Sequence, residues 1–250
     1  SLRGTNLWLL LTSSALASIG LDTNSSAVII GAMLVSPLMS PILAVGLSVA
    51  TWDWKLLGAA MRNLSVAVGL SLAVSAGYFW ISPLGLVTDE IAARTVPTLL
   101  DVGIALFGGT AGIVAMSRLE KTNAIPGVAI ATALMPPLCT AGYGLAKADA
   151  TAFFGAFYLF FLNAVFISFA TLVVVRLLRF PRHVEVDGRS TMRVRLLVLA
   201  FVIAVTIPSV YLLIRVVERQ RIDRNIQRFV RAEVDTDVRT TLRWTVRADV

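Results

Sequence analysis

Two stretches of this chain set hydroxyls beside proline inside otherwise apolar sequence. "AMLVSPLMSP" (32–41) holds Ser36, Pro37, Ser40 and Pro41; "ATALMPPLCT" (131–140) holds Pro137 and Thr140. Proline has no backbone donor, and its ring clashes with the carbonyl four residues back, so each stretch predicts an interrupted helix. Proline suits the first turn of a helix, so Pro37 or Pro41, and Pro137, are expected to open second half-helices. A helix that restarts after a break presents unpaired N–H groups and a partial positive charge. Two such ends, with hydroxyls beside them, would suit an anion or a polar, oxygen-rich solute. Asn63 and Asn163 lie in the apolar stretches that follow. Their amides either face the same site or tie helices together. Either proline stretch taken alone is also compatible with a simple kink whose freed carbonyls are met by nearby hydroxyls.

The elements that must position these residues are set by composition. The chain has 250 residues, 57% hydrophobic and 15% charged, with a mean hydropathy of +0.80. Soluble domains run nearer about 45–50% apolar and about 25% charged. The expectation is an all-α integral membrane protein. Apolar stretches near the spanning length of about 20 residues fall at 6–21, 26–50, 56–82, 102–118, 124–146, 151–175 and 196–216. With the N-terminus in the cytoplasm, eleven Lys and Arg before the C-terminal tail fall inside, and only Arg94 and Lys147 outside. That is the sense of the positive-inside rule. It assigns the net charge of +7 to topology rather than to nucleic acid, and it predicts a multi-pass protein of the cell membrane. The basic stretch 176–195 is expected to touch anionic lipid headgroups. The chain starts at Ser1 and not Met, without a signal-peptide pattern, so a fragment of a longer chain, or a trimmed one, is expected.

A shift of one hundred residues sets Pro37 against Pro137, Ser40 against Thr140 and Asn63 against Asn163. Helices one to three therefore predict helices four to six. Combined with the topology, the expectation is two inverted three-helix repeats (about 5–82 and 102–178) with proline-broken second helices. They form a membrane domain over 1–180. A basic cytoplasmic loop (181–195), a seventh helix (196–217) and the start of a soluble tail (218–250) follow. Interrupted segments in corresponding positions of inverted halves mark the binding site of transporters. Small residues at four-residue spacing, Gly108 with Gly112 and Ser14 with Ser18, let helices approach closely, within one subunit or in a homo-oligomer.

Absent groups narrow the chemistry further. All fifteen Asp and Glu lie outside the seven stretches, which argues against proton coupling through a buried acid, although Asp22 and Asp101 sit at span ends. The single His183 has no nucleophile nearby in sequence, and Cys139 is the one cysteine. There is no HExxH and no phosphate-binding glycine loop. No enzyme, cofactor or metal is expected. The expected partners are membrane lipids, a small solute or ion, and other copies of the chain, with no nucleic acid. The different-class alternative is a membrane scaffold or sensor that anchors and oligomerises flanking soluble domains.

The segments "ASIGLDTNSSAVIIGAMLVSPLMSPILAVGLSVA" and "KTNAIPGVAIATALMPPLCTAGYGLA" resemble a bacterial and archaeal membrane family catalogued as an "uncharacterised hydrophobic domain" (domain of unknown function 389). The resemblance covers roughly residues 5–180. It implies a membrane module, often with a soluble domain ahead of it, and names neither substrate nor catalytic residues.

Overall fold

The computed structural model describes residues 4–84, 86–117 and 125–178, with side chains at 99, 117 and 125–133 left aside. All the described secondary structure is helical: α1 (Thr5–Asp22), α2 (Ser26–Val35), α3 (Met39–Thr51), α4 (Trp54–Ile81), α5 (Asp89–Ala92), α6 (Leu99–Ser117), α7 (Ile125–Ala146) and α8 (Ala150–Leu177). The basic loop with His183, the seventh helix and the tail lie outside the described residues.

Three tight turns reverse the chain, and they share one chemistry. Asn24, Trp52 and Ala148 each take positive φ (51°, 65° and 53°). The next N–H bonds back to a carbonyl five residues earlier: Ser25 to Gly20 (2.8 Å), Asp53 to Ser48 (3.0 Å) and Asp149 to Gly144 (2.9 Å). This closes the last turn of each helix on a carbonyl that would otherwise be unmet. Asp53 and Asp149 then start the next helix. Asp53 Oδ1 accepts from the Leu56 N–H at 2.9 Å, and Asp149 Oδ1 from the N–H groups of Thr151 (2.9 Å) and Ala152 (3.0 Å). Holding Trp52 or Ala148 in a left-handed conformation costs about 1–2 kcal/mol each, which the cap and the packing behind it must offset.

These turns make α3–α4 and α7–α8 antiparallel, and the contacts fix the other directions. Ser14 lies beside Ser71 (3.0 Å) and Ser18 beside Ser75 (2.9 Å), so α1 and α4 run parallel. Ser75 Oγ donates to the Cys139 carbonyl (2.7 Å), and Phe79 meets Tyr143 edge-on at 5.1 Å, so α7 runs with them. Ser168 Oγ donates to the Ile42 carbonyl at 3.2 Å, and the Arg176 guanidinium sits 5.9 Å over the Trp52 ring, so α3 and α8 run parallel the other way. Two glycines set close approaches between the α3–α4 and α7–α8 pairs. A Cβ on Gly142 would come within 2.5 Å of the Ser75 Cβ, and one on Gly46 within 2.6 Å of the Thr171 Cβ. Gly109 brings α6 against Ile167 and Ala170 of α8. Leu10, Leu21, Ile29, Leu38, Phe79, Leu134, Leu138 and Ile167 fill the shared core at no more than 1% exposure.

The distribution of polarity is inverted relative to a soluble bundle. Ser14, Ser18, Ser71, Ser75 and Thr140 are fully buried, while Trp80, Ile81 and Phe107 are 80% exposed. Two helices, α4 and α8, are each 28 residues and apolar enough to cross a membrane; α2 and α3, bent by 54° at their junction, make a third candidate as a pair.

The expected second break is absent. The first proline stretch separates α2 from α3, but α7 is continuous through Pro136 and Pro137. The first stretch has prolines four apart, so Pro41 removes the donor that would meet the Pro37 carbonyl, while Pro37 pushes Ser36 into extended backbone (φ −67°, ψ 128°). In α7 the prolines are adjacent, the lost donors fall on one turn, and the close packing around that turn holds the helix together.

The chain between α4 and α6 is tied to the bundle. Ile91 of α5 is fully buried, and Thr88 Oγ1 donates to the Leu21 carbonyl at 2.7 Å. Glu90 accepts from the Ser26 hydroxyl and pairs with Arg94. Burial alone would raise the Glu90 carboxyl; the Ser26 hydroxyl and the Arg94 charge outweigh it and hold it below the usual carboxylate range.

Two outcomes follow from this packing. Gly142→Val should cost at least about 1–3 kcal/mol by overpacking α7 against Ser75, read as a lower thermal midpoint in detergent. The Glu90 contact is complete above the ordinary carboxylate range and lost as pH falls through its lowered value. Amide exchange in α5 should therefore speed up on acidification in the native chain, and be fast and pH-independent, after correction for intrinsic exchange, in Glu90→Gln.

Candidate functional site

The break between α2 and α3 is where the backbone leaves helical geometry inside the bundle. Ser36 Oγ accepts from the Leu38 N–H at 3.4 Å and lies 3.5 Å from Met135 Sδ on α7. One hydroxyl therefore serves both as a local cap and as a contact to the residue just ahead of Pro136. Ser36 and Pro37 are half-buried, Leu38 and Pro41 buried, and Ser40 exposed. The Leu38 side chain gives the start of α3 no hydrogen-bonding cap.

The structure brings the two proline stretches together, but they differ in character. The α2–α3 side is partly open. On the α7 side Pro137 and Thr140 are buried, and Thr140 Oγ1 has no hydrogen-bond partner among the described residues. A buried hydroxyl left without a partner costs roughly 1–3 kcal/mol. Asn163 is 2% exposed on α8. Because α8 and α3 run parallel with Ser168 at Ile42, Asn163 sits level with the break. Asn63 is half-buried on α4, whose antiparallel pairing with α3 sets it about a turn and a half further toward the α3–α4 turn.

A second polar site lies at the end of α1, where the sequence sets Asp22 at a span end. Asp22, the last residue of α1, is only 5% exposed. Its Oδ2 accepts from the Tyr78 hydroxyl at 3.1 Å and the Ser82 hydroxyl at 2.5 Å. The readable signal is periodic. Ser14, Ser18 and Asp22 recur every four residues on α1, as Ser71 and Ser75 do on α4 with Ser82 beyond, so two otherwise apolar helices each carry one polar stripe.

With this all-helical bundle and its membrane-length helices established, comparison with known proteins defines the family. The profile of "Domain of unknown function (DUF389)" matches residues 33–169. This is more than half of the chain, which belongs to that family; the match takes in the break, α7 and most of α8. Over 175 residues the chain is 29% identical to "Uncharacterized protein MJ0678" of Methanocaldococcus jannaschii, covering 68% of this chain and 52% of that protein. The chain thus spans about half the length of the relative it matches. No solved structure matches it.

The contrast between the two sides of the junction is directly measurable. Native Cys139 is fully buried and should not react with a water-soluble maleimide until the protein is denatured. In a Cys139→Ala background, Ser36→Cys should be labelled in the folded state and Thr140→Cys should stay protected.

Proposed function

We propose that this chain is a multi-pass membrane protein, built of two inverted three-helix halves, that moves a small ion or polar solute past the α2–α3 break. The observation that carries the reading is the non-helical backbone at Ser36–Leu38, held against α7 beside Pro136 and Pro137. Irregular backbone at membrane depth is tolerated only where protein buries it or it lines a water-filled cavity, and the half-buried Ser36 and Pro37 support the second condition.

The inverted arrangement draws support from paired contacts. Gly46 of α3 abuts Thr171 of α8, and Gly142 of α7 abuts Ser75 of α4. Going from 46 to 142 and from 75 to 171 is the same step of 96, and so is going from the Asp53 cap to the Asp149 cap. With that step "MSPILAVG" (39–46) aligns with "MPPLCTAG" (135–142), matching Met, Pro and Gly. Pro41, not Pro37, is then the counterpart of Pro137, which revises the shift of one hundred. Pro37 has Ala133 as its counterpart, in keeping with one broken and one continuous helix. The halves are alike in packing and unlike at the break, as expected if one half carries the moving element. The exposed Trp80, Ile81 and Phe107 suit lipid or a further copy of the chain, and Arg176 and Lys55 suit the cytoplasmic side, which puts the N-terminus there too.

The second reading is a membrane scaffold or sensor that anchors soluble domains. The complete burial of Pro137 and Thr140 favours it, because a dry α7 surface offers a solute nothing. Flux of an ion panel through the full chain in liposomes separates the two. Transport predicts measurable flux that falls at least about tenfold in Pro37→Ala, with the variant still folded. Flux absent for every ion and solute tried, or unchanged in Pro37→Ala, leaves the scaffold. Thr140→Val adds an independent check. If no ligand uses the hydroxyl, the substitution should leave stability unchanged or raise it by up to about 1 kcal/mol.

A further inference from the structure

The outward faces of α6 and α8 carry large side chains: Phe107 is 80% exposed, Phe154 67% and Phe161 48%. The outward face of α4 has a different character. Lys55, Gly58, Arg62, Gly69, Ala73 and Trp80 are exposed on it, at spacings of three, four and seven residues that keep them on one line along the helix. A Cβ on Gly58 or Gly69 would meet no atom within 4 Å. Unlike Gly46 and Gly142, these glycines therefore serve no helix contact among the described residues. Val66 and Leu72, three residues to either side of Gly69, stand on its flanks. The result is a shallow groove that begins at two cations and runs toward Trp80.

The cations sit where the bilayer changes from headgroup to tail. α4 has 28 residues, about 42 Å at 1.5 Å per residue, against about 30 Å of hydrocarbon. Centred in a bilayer, it places Lys55 at the headgroups and Arg62 about one turn inside the hydrocarbon edge. Among the described residues neither has an acid to meet. The Asp53 carboxylate caps the Leu56 N–H at 2.9 Å, and the ion pair formed is Glu90 with Arg94. A guanidinium left among lipid tails is costly, so it turns to the interface with its alkyl stem along the helix. Helical side chains lean toward the N-terminal end, and Arg62 therefore reaches back over the open Gly58 toward Lys55. Trp54, 39% exposed, stands at the same end, where an indole favours the headgroup level.

We propose that this face of α4 is a docking site for an anionic phospholipid, with its phosphate between Lys55 and Arg62 and one acyl chain lying over Gly69. Charge selects this occupant. Two copies of the chain meeting here about a twofold axis normal to the bilayer would set Arg62 against Arg62 and Lys55 against Lys55 at equal depth. The apolar stretch 196–216 holds no Asp or Glu to answer Arg62. A lipid phosphate is the anion that a bilayer itself supplies at this depth. It accepts charge-assisted, often bidentate hydrogen bonds from a guanidinium, and a glycine lets an acyl chain come close enough for dispersion contacts along its length. A net-negative headgroup is favoured over a zwitterionic one, whose own cation competes with Lys55 and Arg62 for the phosphate. The inference rests on the reading that α4 crosses a bilayer, and not on transport.

The test takes the full chain, floats it with liposomes, and then follows it by native mass spectrometry in detergent with phosphatidylglycerol or phosphatidylcholine of identical acyl chains. Phosphatidylglycerol should be retained at least about fivefold above phosphatidylcholine. Lys55→Gln and Arg62→Gln should each reduce that preference and together abolish it, while Lys147→Gln, at the opposite end of the bundle, leaves it in place. Equal retention of the two lipids by the native chain would overturn the proposal, as would a preference that survives the double change or falls equally in Lys147→Gln. A nitroxide on Val66→Cys, in a Cys139→Ala background, reads what covers the face in bilayers. Relaxation of the label by dissolved oxygen is expected, as for lipid contact. An immobilised, oxygen-shielded label would mean that a second copy or the 196–216 stretch lies there, and the proposal would fall. A chain that does not float with liposomes removes the membrane reading and the proposal with it; one that floats but shows no headgroup preference removes the proposal alone.

Discussion

The bundle depends on the absence of two side chains. Gly142 leaves no atom between α7 and the Ser75 turn of α4, and Gly46 leaves none between α3 and the Thr171 turn of α8. Close backbone approach and the dispersion contacts it permits help decide which helices pair. These two contacts join the first half of the chain to the second. The Ser75 hydroxyl reaches the Cys139 carbonyl only because Gly142 lets the helices come that close.

That tight packing also explains why proline acts differently in the two halves. Adjacent prolines in α7 lose donors on one turn, and the surrounding core, with Leu134, Met135 and Leu138 fully buried, leaves that turn no room to unwind. Pro37 and Pro41 spread the loss over a full turn, at a place where Ser36 and Ser40 are partly or fully exposed and the backbone can find other partners. The result is one break seated against one rigid helix. In the transport reading, the break is the irregular backbone offered to a solute.

The polar row on α1 and α4 shows how a helix bundle can hide chemistry in ordinary residues. Each serine alone is a small, tolerated residue that can bond back to its own helix, as Ser14 does to the Leu10 carbonyl at 2.8 Å. Stacked at four-residue spacing on facing helices, the serines form a continuous hydrophilic seam that leads to a carboxylate. The seam exists only because α1 and α4 run parallel.

Much of this was legible in the sequence. Apolar stretches located α1, α4, α6, α7 and α8 to within a few residues, because helix length and hydropathy are local properties. Pro37 marked the break, because proline acts on its own turn and the one before it. The Asp caps at 53 and 149 are equally local. Other features needed the third dimension. Whether Pro136 and Pro137 break α7 depends on what packs around them, which no local rule contains. The register of 96 rests on which glycine meets which hydroxyl across the bundle. And the sequence places Asp22 only at a span end; the helices and the short α5 around it make it a buried acid, because burial is a property of neighbours and not of the residue.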